Sequence, residues 1–471
     1  MGRILKAVYP HIYTQKNGEK VYFTCGIPQV VMNHIEKKYI QNCDSFNSHN
    51  FLENVKNDSS VAWDPSYNLS NFHYYFINNF GEENVISVND IDVNDKDSVY
   101  IFPLEIATTM NSLNSTFKVD LDGNYIEYTL ADILAPIIDH LRADRIKIVV
   151  CIIQDPCHYA PGIRETELIL RELGVNESNL VYIFGNKFVN HPIDFPDSKT
   201  NFTYGNIALQ QQAKGMQYFP KMTSMGYESD IVRESDLNIS EIRSKKFLCF
   251  NRSMRSHRYY IAYVAMKNNL FDNSIFSFVN VPDHDNEEHI RNSINAILEE
   301  PITDKDFSKL MNIFPLEIDT THLNADQKRG FVTDNNKKEW YNSSYFHITS
   351  ESNVYASLDD GPFFSEKTFR PIINLQPFIF VGDYGSLREL RNLGFKTFAP
   401  YIDESYDLEP DHNKRLRMIA EEIEKLNSLS LKQIHKLYYS MTDILIYNRD
   451  HFSSFKDTNP FKISYEFIQQ L

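Results

Sequence analysis

The chain has 471 residues, of which 42% are apolar, 13% aromatic and 23% charged. This balance excludes an intrinsically disordered chain, and the length predicts two or three globular domains. Lysine and arginine together number 47 against 63 acidic residues, which gives a formal net charge of −16. General attraction to nucleic acid is thereby excluded, and any polyanion must bind through a local basic cleft.

The five cysteines are scattered and form no CxxC pair, which favours free thiols in a reducing compartment over a zinc or disulfide framework. No apolar run approaches the ~18 residues that span a bilayer. The N-terminal segment also lacks the apolar centre of a secretory signal. We therefore expect a cytoplasmic protein without a membrane span.

Apolar runs that alternate with helical patterns begin near residue 98, after an aromatic and Asn-rich stretch without a sustained period. Strands are predicted at SVYIFPLEI (98–106), RIKIVVCIIQ (145–154) and NLVYIFGN (179–186), with helices at 130–143 and 164–174. Alternation of strands and helices at these lengths predicts a parallel sheet with crossover helices.

A second alternating unit follows the polar segment 220–245, which is predicted to be a linker. Its strands are predicted at 246–250, 274–280, 345–352, 377–382 and 396–401, and its helices at 258–270, 365–375, 386–394 and 413–448. We therefore expect an N-terminal acceptor-side α/β domain (1–240), a Rossmann-like domain (241–410) and a helical C-terminal tail (411–471) that packs back on them. Two such α/β domains would form a cleft at the carboxyl ends of their strands, where ligands bind.

The segment NRSMRSHR (251–258) carries three arginines and one histidine between a predicted strand and a predicted helix. Free N–H groups at a helix start attract anions, and guanidinium groups bind phosphate with two parallel hydrogen bonds. One interpretation is a pyrophosphate site. The alternative is a solvated helix start with surface arginines.

A second polar cluster lies in the segment 345–382, where Ser365 is predicted to cap a helix that opens with Glu366 and Lys367. A carboxylate at this point can accept hydrogen bonds from both ribose hydroxyls, while the adjacent lysine reaches a phosphate. The alternative is an ordinary capped helix in which Glu366 favours the helix dipole and Lys367 lies in solvent. The local pattern alone leaves both interpretations open.

Taken together, these segments resemble the donor-binding half of α1,3-fucosyltransferases and related GT-B glycosyltransferases. The resemblance rests on the strand followed by N-R-x-x-R, the helix start F-S-E-K (364–367) and the strand P-F-I-F-V-G (377–382). The segment GDYGSLRELRNLGFKTFAPYIDESYD (382–407) is also similar to an uncharacterised branch of glycosyltransferase-like proteins common in phages and bacteria. The resemblance covers roughly residues 245–405, under half of the chain.

The resemblance implies an α/β, GT-B-like fold and transfer of a sugar from a nucleoside diphosphate, with a GDP- or UDP-sugar as co-substrate and no metal or other cofactor. By position, Glu366 corresponds to the family's ribose-binding glutamate and Lys367 to its phosphate-binding lysine. The family's phosphate-binding arginine falls on Arg252 or Arg255, and spacing does not decide between them. The implied location is the cytoplasm of a bacterial or virus-infected host cell.

The sequence departs from the family pattern around Glu351 and Asn353, which we expect to contact the donor. The family's E-N-S motif reads E-S-N here, and the gap to the E-K pair is longer by four residues. This difference predicts a changed sugar-contacting loop and weakens fucose as the donor. Asp359 and Asp360 are adjacent rather than spaced as D-x-D, so no metal site is predicted.

An inverting transferase needs a general base near the acceptor hydroxyl, whereas a retaining one does not. Candidates at predicted strand ends of the N-terminal half are Glu105, Asp155 and His158. The alternative for each is a structural residue, such as a capping aspartate at Asp155.

The leading hypothesis is a glycosyltransferase whose acceptor is a glycan, a small molecule or a modified DNA base. A non-catalytic nucleotide- or sugar-binding protein on a transferase scaffold is the alternative. The second hypothesis predicts the same donor-side residues but no base near the cleft.

Overall fold

The structure is a computed structural model in which the chain divides into two compact units, Met1–Ile207 with Asn459–Leu471, and Ala208–Thr458. The residues it describes are 3–10, 12–14, 20–22, 76–105, 117–121, 124–152, 159–184, 199–204, 209, 213, 231–251, 255–278, 287–314, 316, 338–352, 354, 355, 362 and 364–471.

The first unit is built on a six-stranded sheet. The strands described in this unit, inside and outside that sheet, are β1 (Ile4–Tyr9), β2 (Ile12–Thr14), β3 (Lys20–Tyr22), β4 (Val85–Ser87), β5 (Ser98–Glu105), β6 (Phe117–Leu121), β7 (Asn124–Tyr128), β8 (Ile146–Ile152), β9 (Leu180–Phe184) and β10 (Asn201–Tyr204). The large sheet has the order β10-β9-β8-β5-β1-β4, and its neighbouring strands pair in parallel. β2 with β3 and β6 with β7 form separate antiparallel pairs.

The helices of the first unit are α1 (Leu130–Leu134), α2 (Ile138–Arg142) and α3 (Tyr159–Glu172). Consecutive residues of β8, among them Ile148, Val149 and Val150, are buried. Burial on both faces explains why the strand is apolar at these consecutive positions. Gly174 adopts a left-handed φ of 69° just after α3, a conformation that glycine takes without strain and that ends the helix.

The second unit contains a four-stranded parallel sheet. Its strands are β11 (Lys245–Asn251), β12 (Ser274–Phe278), β13 (Ser344–Ser350) and β14 (Phe378–Val381), in the order β12-β11-β13-β14. Its helices are α4 (Ser256–Lys267), α5 (Glu287–Asn295), α6 (Asp304–Met311), α7 (Lys338–Ser343), α8 (Glu366–Ile373), α9 (Ser386–Asn392), α10 (His412–Ser428), α11 (Leu431–Ser440) and α12 (Thr442–Ser454). The last helix, α13 (Lys462–Ile468), belongs to the first unit.

The predicted α/β class with two parallel sheets is confirmed. The predicted linker, 220–245, lies partly outside the described residues. None of the helices described is long and apolar enough to cross a membrane.

The strand predicted at 396–401 is wrong, because this segment is irregular and bends between Phe398 and Ile402. The side chain of Asn448 in α12 occupies both backbone polar groups of Lys396, accepting from its N–H at 2.8 Å and donating to its carbonyl at 2.7 Å. These are the groups through which a strand would pair with a neighbour. Phe398 is buried without joining the sheet, whereas Tyr401 is exposed.

His347, on the buried strand β13, makes the stability of the second unit depend on pH. Burial, together with the nearby charge of Arg370, lowers the pKa of His347 to about 3, whereas an unfolded histidine titrates near ~6.5. As pH falls below this value, the unfolded chain binds a proton that the folded chain does not, so the free energy of unfolding decreases. Between pH 8 and pH 5 this difference amounts to about 2 kcal/mol.

Substitution of His347 by phenylalanine is expected to remove this part of the pH dependence. Denaturant unfolding at pH 8 and pH 5 can be followed by the fluorescence of Trp340 in α7, in a background in which the other tryptophan, Trp63, is replaced by phenylalanine. The variant should lose about 2 kcal/mol less than the parent on acidification. An equal loss of unfolding free energy in the parent and the variant would contradict the conclusion that His347 causes this pH dependence.

Candidate functional site

The candidate site lies at the carboxyl edge of the second sheet. β11 and β13 are parallel neighbours, so their carboxyl ends, at Asn251 and Ser350, lie at the same edge. The chain leaves β11 for helix α4, and the chain beyond β13 leads to helix α8. The starts of two helices are therefore brought to one edge of a parallel sheet, where ligands of α/β proteins bind.

Helix α8 begins at a network centred on Glu351, whose side chain is fully buried. Its carboxylate accepts from the Ser365 N–H at 3.0 Å and from the Ser365 hydroxyl at 2.6 Å. It also accepts from the hydroxyl of Thr368, one turn into the helix. The Ser365 hydroxyl in turn accepts from the N–H of Lys367 at 3.2 Å, which makes Ser365 the N-cap. Glu351 therefore fixes the position at which α8 starts.

Glu366 and Lys367 occupy the first turn of α8. The Lys367 Nζ lies 2.8 Å from the Glu366 Oε1 and 3.1 Å from the Ser365 Oγ. The Lys367 side chain is 24% exposed and the Glu366 side chain is 17% exposed. Burial raises the pKa of Glu366, but the charges of Lys367 and Arg370 and the hydrogen bond from Lys367 more than offset this effect. The net pKa lies below its ordinary value, so Glu366 is a carboxylate at neutral pH.

Helix α4 starts with an excess of positive charge. Arg255 is its N-cap residue, but the Arg255 side chain accepts no hydrogen bond from the helix, and the first turn contains no acidic residue. The exposed guanidinium of Arg255 has no ion-pair partner among the described residues. Cations are disfavoured at the positive end of a helix, whereas anions are favoured there. This helix start is therefore electrostatically prepared for an anionic ligand.

Arg258, in the first turn of α4, is buried and joins the two helix starts. One of its terminal nitrogens donates to the carbonyls of Ser350 at 3.2 Å and of Glu351 at 3.0 Å. Burial lowers the pKa of Arg258 to about 10, and the charge of Arg255 acts in the same direction. Glu351 and Glu366 oppose this change. Arg258 thus stays charged at neutral pH, within electrostatic range of both Arg255 and Glu366.

Two buried polar atoms at this edge have no hydrogen-bond partner among the residues that the structure describes. They are the Nδ1 of His257 and the Oδ1 of Asn251. His257 Nε2 donates to the Glu351 carbonyl at 3.0 Å, which leaves Nδ1 as an acceptor, and burial holds the pKa of His257 well below its ordinary range. Unsatisfied buried polar atoms are uncommon and often mark functional positions.

Three sequence-predicted residues of the donor site, Glu351, Glu366 and Lys367, lie in this network, and Arg255 lies at the start of α4. Glu105 is the last residue of β5, at the carboxyl end of a strand of the first sheet, and nothing is described of its side chain. The other predicted residues, Asp155, His158, Arg252 and Asn353, and the pair Asp359 and Asp360, lie outside the described residues.

Sequence reasoning missed the part played by Arg258, although it noted the arginine. A signal existed, because Arg255 and Arg258 lie only three positions apart at the predicted helix start. Burial of Arg258 depends on carbonyls of Ser350 and Glu351, far along the chain, and no local pattern reveals it.

Within the described part of the chain, no group of three or more histidine, cysteine, aspartate or glutamate residues could hold a metal ion. The positive charges at the site come from side chains and helix starts. Guanidinium and ammonium groups such as those of Arg255 and Lys367 can bind an oxyanion, and a carboxylate such as that of Glu366 can accept hydrogen bonds from hydroxyl groups.

Comparison with known proteins gave no matching family model and no matching curated protein. Among solved structures, the chain is similar to the N-terminal domain of trehalose-6-phosphate phosphatase from Candida albicans, with 10% sequence identity and a TM-score of 0.33. That match covers 97% of this chain and 96% of the other.

Proposed function

We propose that the protein is a GT-B-type glycosyltransferase that moves a sugar from a nucleoside-diphosphate sugar to an acceptor hydroxyl. The observation that carries the proposal is the meeting of two helix starts at the carboxyl edge of one parallel sheet. One start supplies Arg255 and Arg258, and the other supplies Glu366 and Lys367. This combination of cations and one carboxylate matches a ligand with both phosphates and vicinal hydroxyls.

The electrostatics of α4 favour a diphosphate over a neutral ligand. Arg255 and Arg258 repel each other, since the charge of Arg255 lowers the pKa of Arg258. A bound diphosphate would relieve this repulsion and complement the helix dipole as well. In the proposal, Lys367 and the exposed Arg255 contact the phosphates. The buried Arg258 adds the electrostatic attraction of its positive charge.

The Glu366 carboxylate is proposed to accept hydrogen bonds from the ribose hydroxyls. Its lowered pKa keeps it ionised, as an acceptor requires. Glu351 serves as a positioning residue in this scheme, because its carboxylate is already engaged by Ser365 and Thr368. It holds the helix start on which Glu366 and Lys367 depend.

Rate enhancement in this proposal is electrostatic. As the glycosidic bond breaks, negative charge grows on the departing nucleoside diphosphate, and fixed cations stabilise it more than they stabilise the ground state. Glu105, Asp155 and His158 stay the candidates for a general base, and a glycan, a small molecule or a modified DNA base stays the candidate acceptor. The proposal commits to the donor class alone.

A thermal-shift screen of the full chain with GDP, UDP, CDP and ADP tests donor binding. At a concentration 100 times its Kd, the preferred nucleotide stabilises the folded protein by about 2.7 kcal/mol. For a unit of this size the melting temperature should rise by roughly 5 to 10 °C. The matched control is Lys432→Ala, which removes an exposed lysine of α11 without touching the candidate site.

The preferred nucleotide should stabilise the Lys432→Ala variant as it does the parent. If no nucleotide raises the melting temperature at millimolar concentration, the proposal fails. If one does, release of that nucleotide from its sugar conjugates is measured next. Binding without any release in the presence of pooled acceptors would favour the non-catalytic nucleotide-binding alternative.

A further inference from the structure

The side chain of Tyr355 lies beside the candidate phosphate site and is 40% exposed. It follows β13 by a few residues and contacts two histidine rings. The centroid of its ring is 6.3 Å from that of His257 in α4 and 5.4 Å from that of His412 at the start of α10. Both contacts are edge-to-face, with interplanar angles of 65° and 77°. The tyrosine keeps 40% of its surface exposed beside these two rings, and an exposed aromatic surface can contact a flat ligand.

The backbone that carries Tyr355 is held in place by the buried side chain of Arg415 in α10. Its guanidinium donates to the carbonyl of Val354 at 2.7 Å and to the carbonyl of Gly382 at 3.2 Å. The residue before Tyr355 is thereby tied to the carboxyl end of β14. Since its backbone is already fixed, little conformational entropy is lost when a ligand packs against the ring.

His257 connects this tyrosine to the candidate phosphate site. Its ring contacts Tyr355, and its Nε2 donates to the carbonyl of Glu351 at 3.0 Å. The carboxylate of Glu351 in turn holds Ser365, directly before Glu366 and Lys367. Tyr355 is therefore one side chain away from the network that holds the start of α8.

His412 adds an uncharged ring to the same surface. Burial and the charge of Arg415 lower the pKa of His412, although Asp411 opposes this. At neutral pH the imidazole is therefore uncharged. An aromatic surface flanked by uncharged rings suits a heterocyclic base better than it suits a sugar or a second phosphate.

We propose that Tyr355 is the stacking platform for the base of the bound nucleotide, so that the ligand class is a nucleoside diphosphate rather than a phosphorylated sugar or lipid. This inference rests on the proposed function and deepens it. Stacking on an aromatic ring is tolerant of base identity, because every base has a π-face. Tyr355 therefore contributes affinity for a nucleotide over pyrophosphate, and other groups select among bases.

The test is titration calorimetry of the full chain with inorganic pyrophosphate and with the nucleoside diphosphate that gives the largest thermal shift. The variants are Tyr355→Ala and Tyr355→Phe, with Tyr447→Ala as the matched control, because Tyr447 is also 40% exposed. Tyr355→Ala should weaken nucleotide binding by about 10- to 100-fold and leave pyrophosphate binding unchanged. Tyr355→Phe, which keeps the ring, and Tyr447→Ala should bind both ligands as the parent does.

The outcomes separate this inference from the proposed function. Unchanged nucleotide affinity in Tyr355→Ala would overturn the stacking role, as would an equal loss of affinity for nucleotide and pyrophosphate with a lowered melting temperature. A parent protein that binds pyrophosphate as tightly as the nucleotide would also overturn it, while leaving the phosphate site intact. A parent protein that binds neither ligand would refute the proposed function itself.

Discussion

Replacement of Glu351 by alanine is expected to lower the free energy of unfolding of the second unit by about 3 kcal/mol and to abolish nucleotide binding. The carboxylate is fully buried and accepts hydrogen bonds from the N–H and hydroxyl of Ser365 and from the hydroxyl of Thr368. Alanine leaves these donors without their acceptor and opens a cavity. The start of α8, which carries Glu366 and Lys367, then loses its support.

Denaturant unfolding, again followed by Trp340 fluorescence in the Trp63→Phe background, measures the loss of stability. Glu351→Gln keeps the size of the side chain and one acceptor oxygen, so it should lower the free energy of unfolding by less than Glu351→Ala does. Glu421→Ala, which removes an exposed glutamate of α10, is the control and should unfold as the parent does. An unfolding midpoint for Glu351→Ala equal to that of the parent would show that this network does not hold α8.

Replacement of Lys367 by alanine is expected to reduce turnover by a factor of about 10² to 10³ with little change in stability. Its side chain is 24% exposed, and the pairing of its ammonium group with Glu366 and Ser365 holds it in the first turn of α8. A cation at this point stabilises the charge that develops on the leaving diphosphate. The side chain is not part of the buried core, so its removal should leave the fold intact.

The rate of nucleotide release from the preferred sugar donor measures this effect. Lys367→Arg keeps the charge in a different geometry and should recover part of the activity. Lys432→Ala is the matched control and should be fully active. Full activity of Lys367→Ala, in a protein that melts at the parent temperature, would exclude Lys367 from the donor site.

The sequence was sufficient to predict the four strands of the second sheet and three of the six strands of the first, namely β5, β8 and β9. Runs such as 148–150 and 378–381 are apolar at consecutive positions because these residues are buried on both faces of their sheets. The incorrect prediction of a strand at 396–401 shows that local apolar character does not always indicate a strand. Phe398 in this segment is buried, but the backbone of Lys396 is bonded by Asn448, which follows 52 residues later. A side chain from a distant helix cannot be inferred from a local pattern.

Only part of the candidate site could be predicted from the sequence. Serine is a preferred N-cap residue, and the structure shows Ser365 in that role. Glu351 was expected to contact the donor, yet its carboxylate is bonded within the protein by residues 14 and 17 positions later. The parts of Arg258 and Tyr355 depend on tertiary contacts with other elements. Local propensity identifies the helix starts, whereas packing decides which of their charges are buried.

Affinity labelling tests the central claim most directly. The periodate-oxidised, dialdehyde form of the preferred nucleoside diphosphate reacts with a lysine near its ribose, and borohydride fixes the adduct for peptide mapping. Because Lys367 adjoins the proposed ribose ligand Glu366, the account predicts labelling at Lys367 that an excess of intact nucleotide prevents. Labelling at other lysines, such as the exposed Lys432, without protection by intact nucleotide would contradict it.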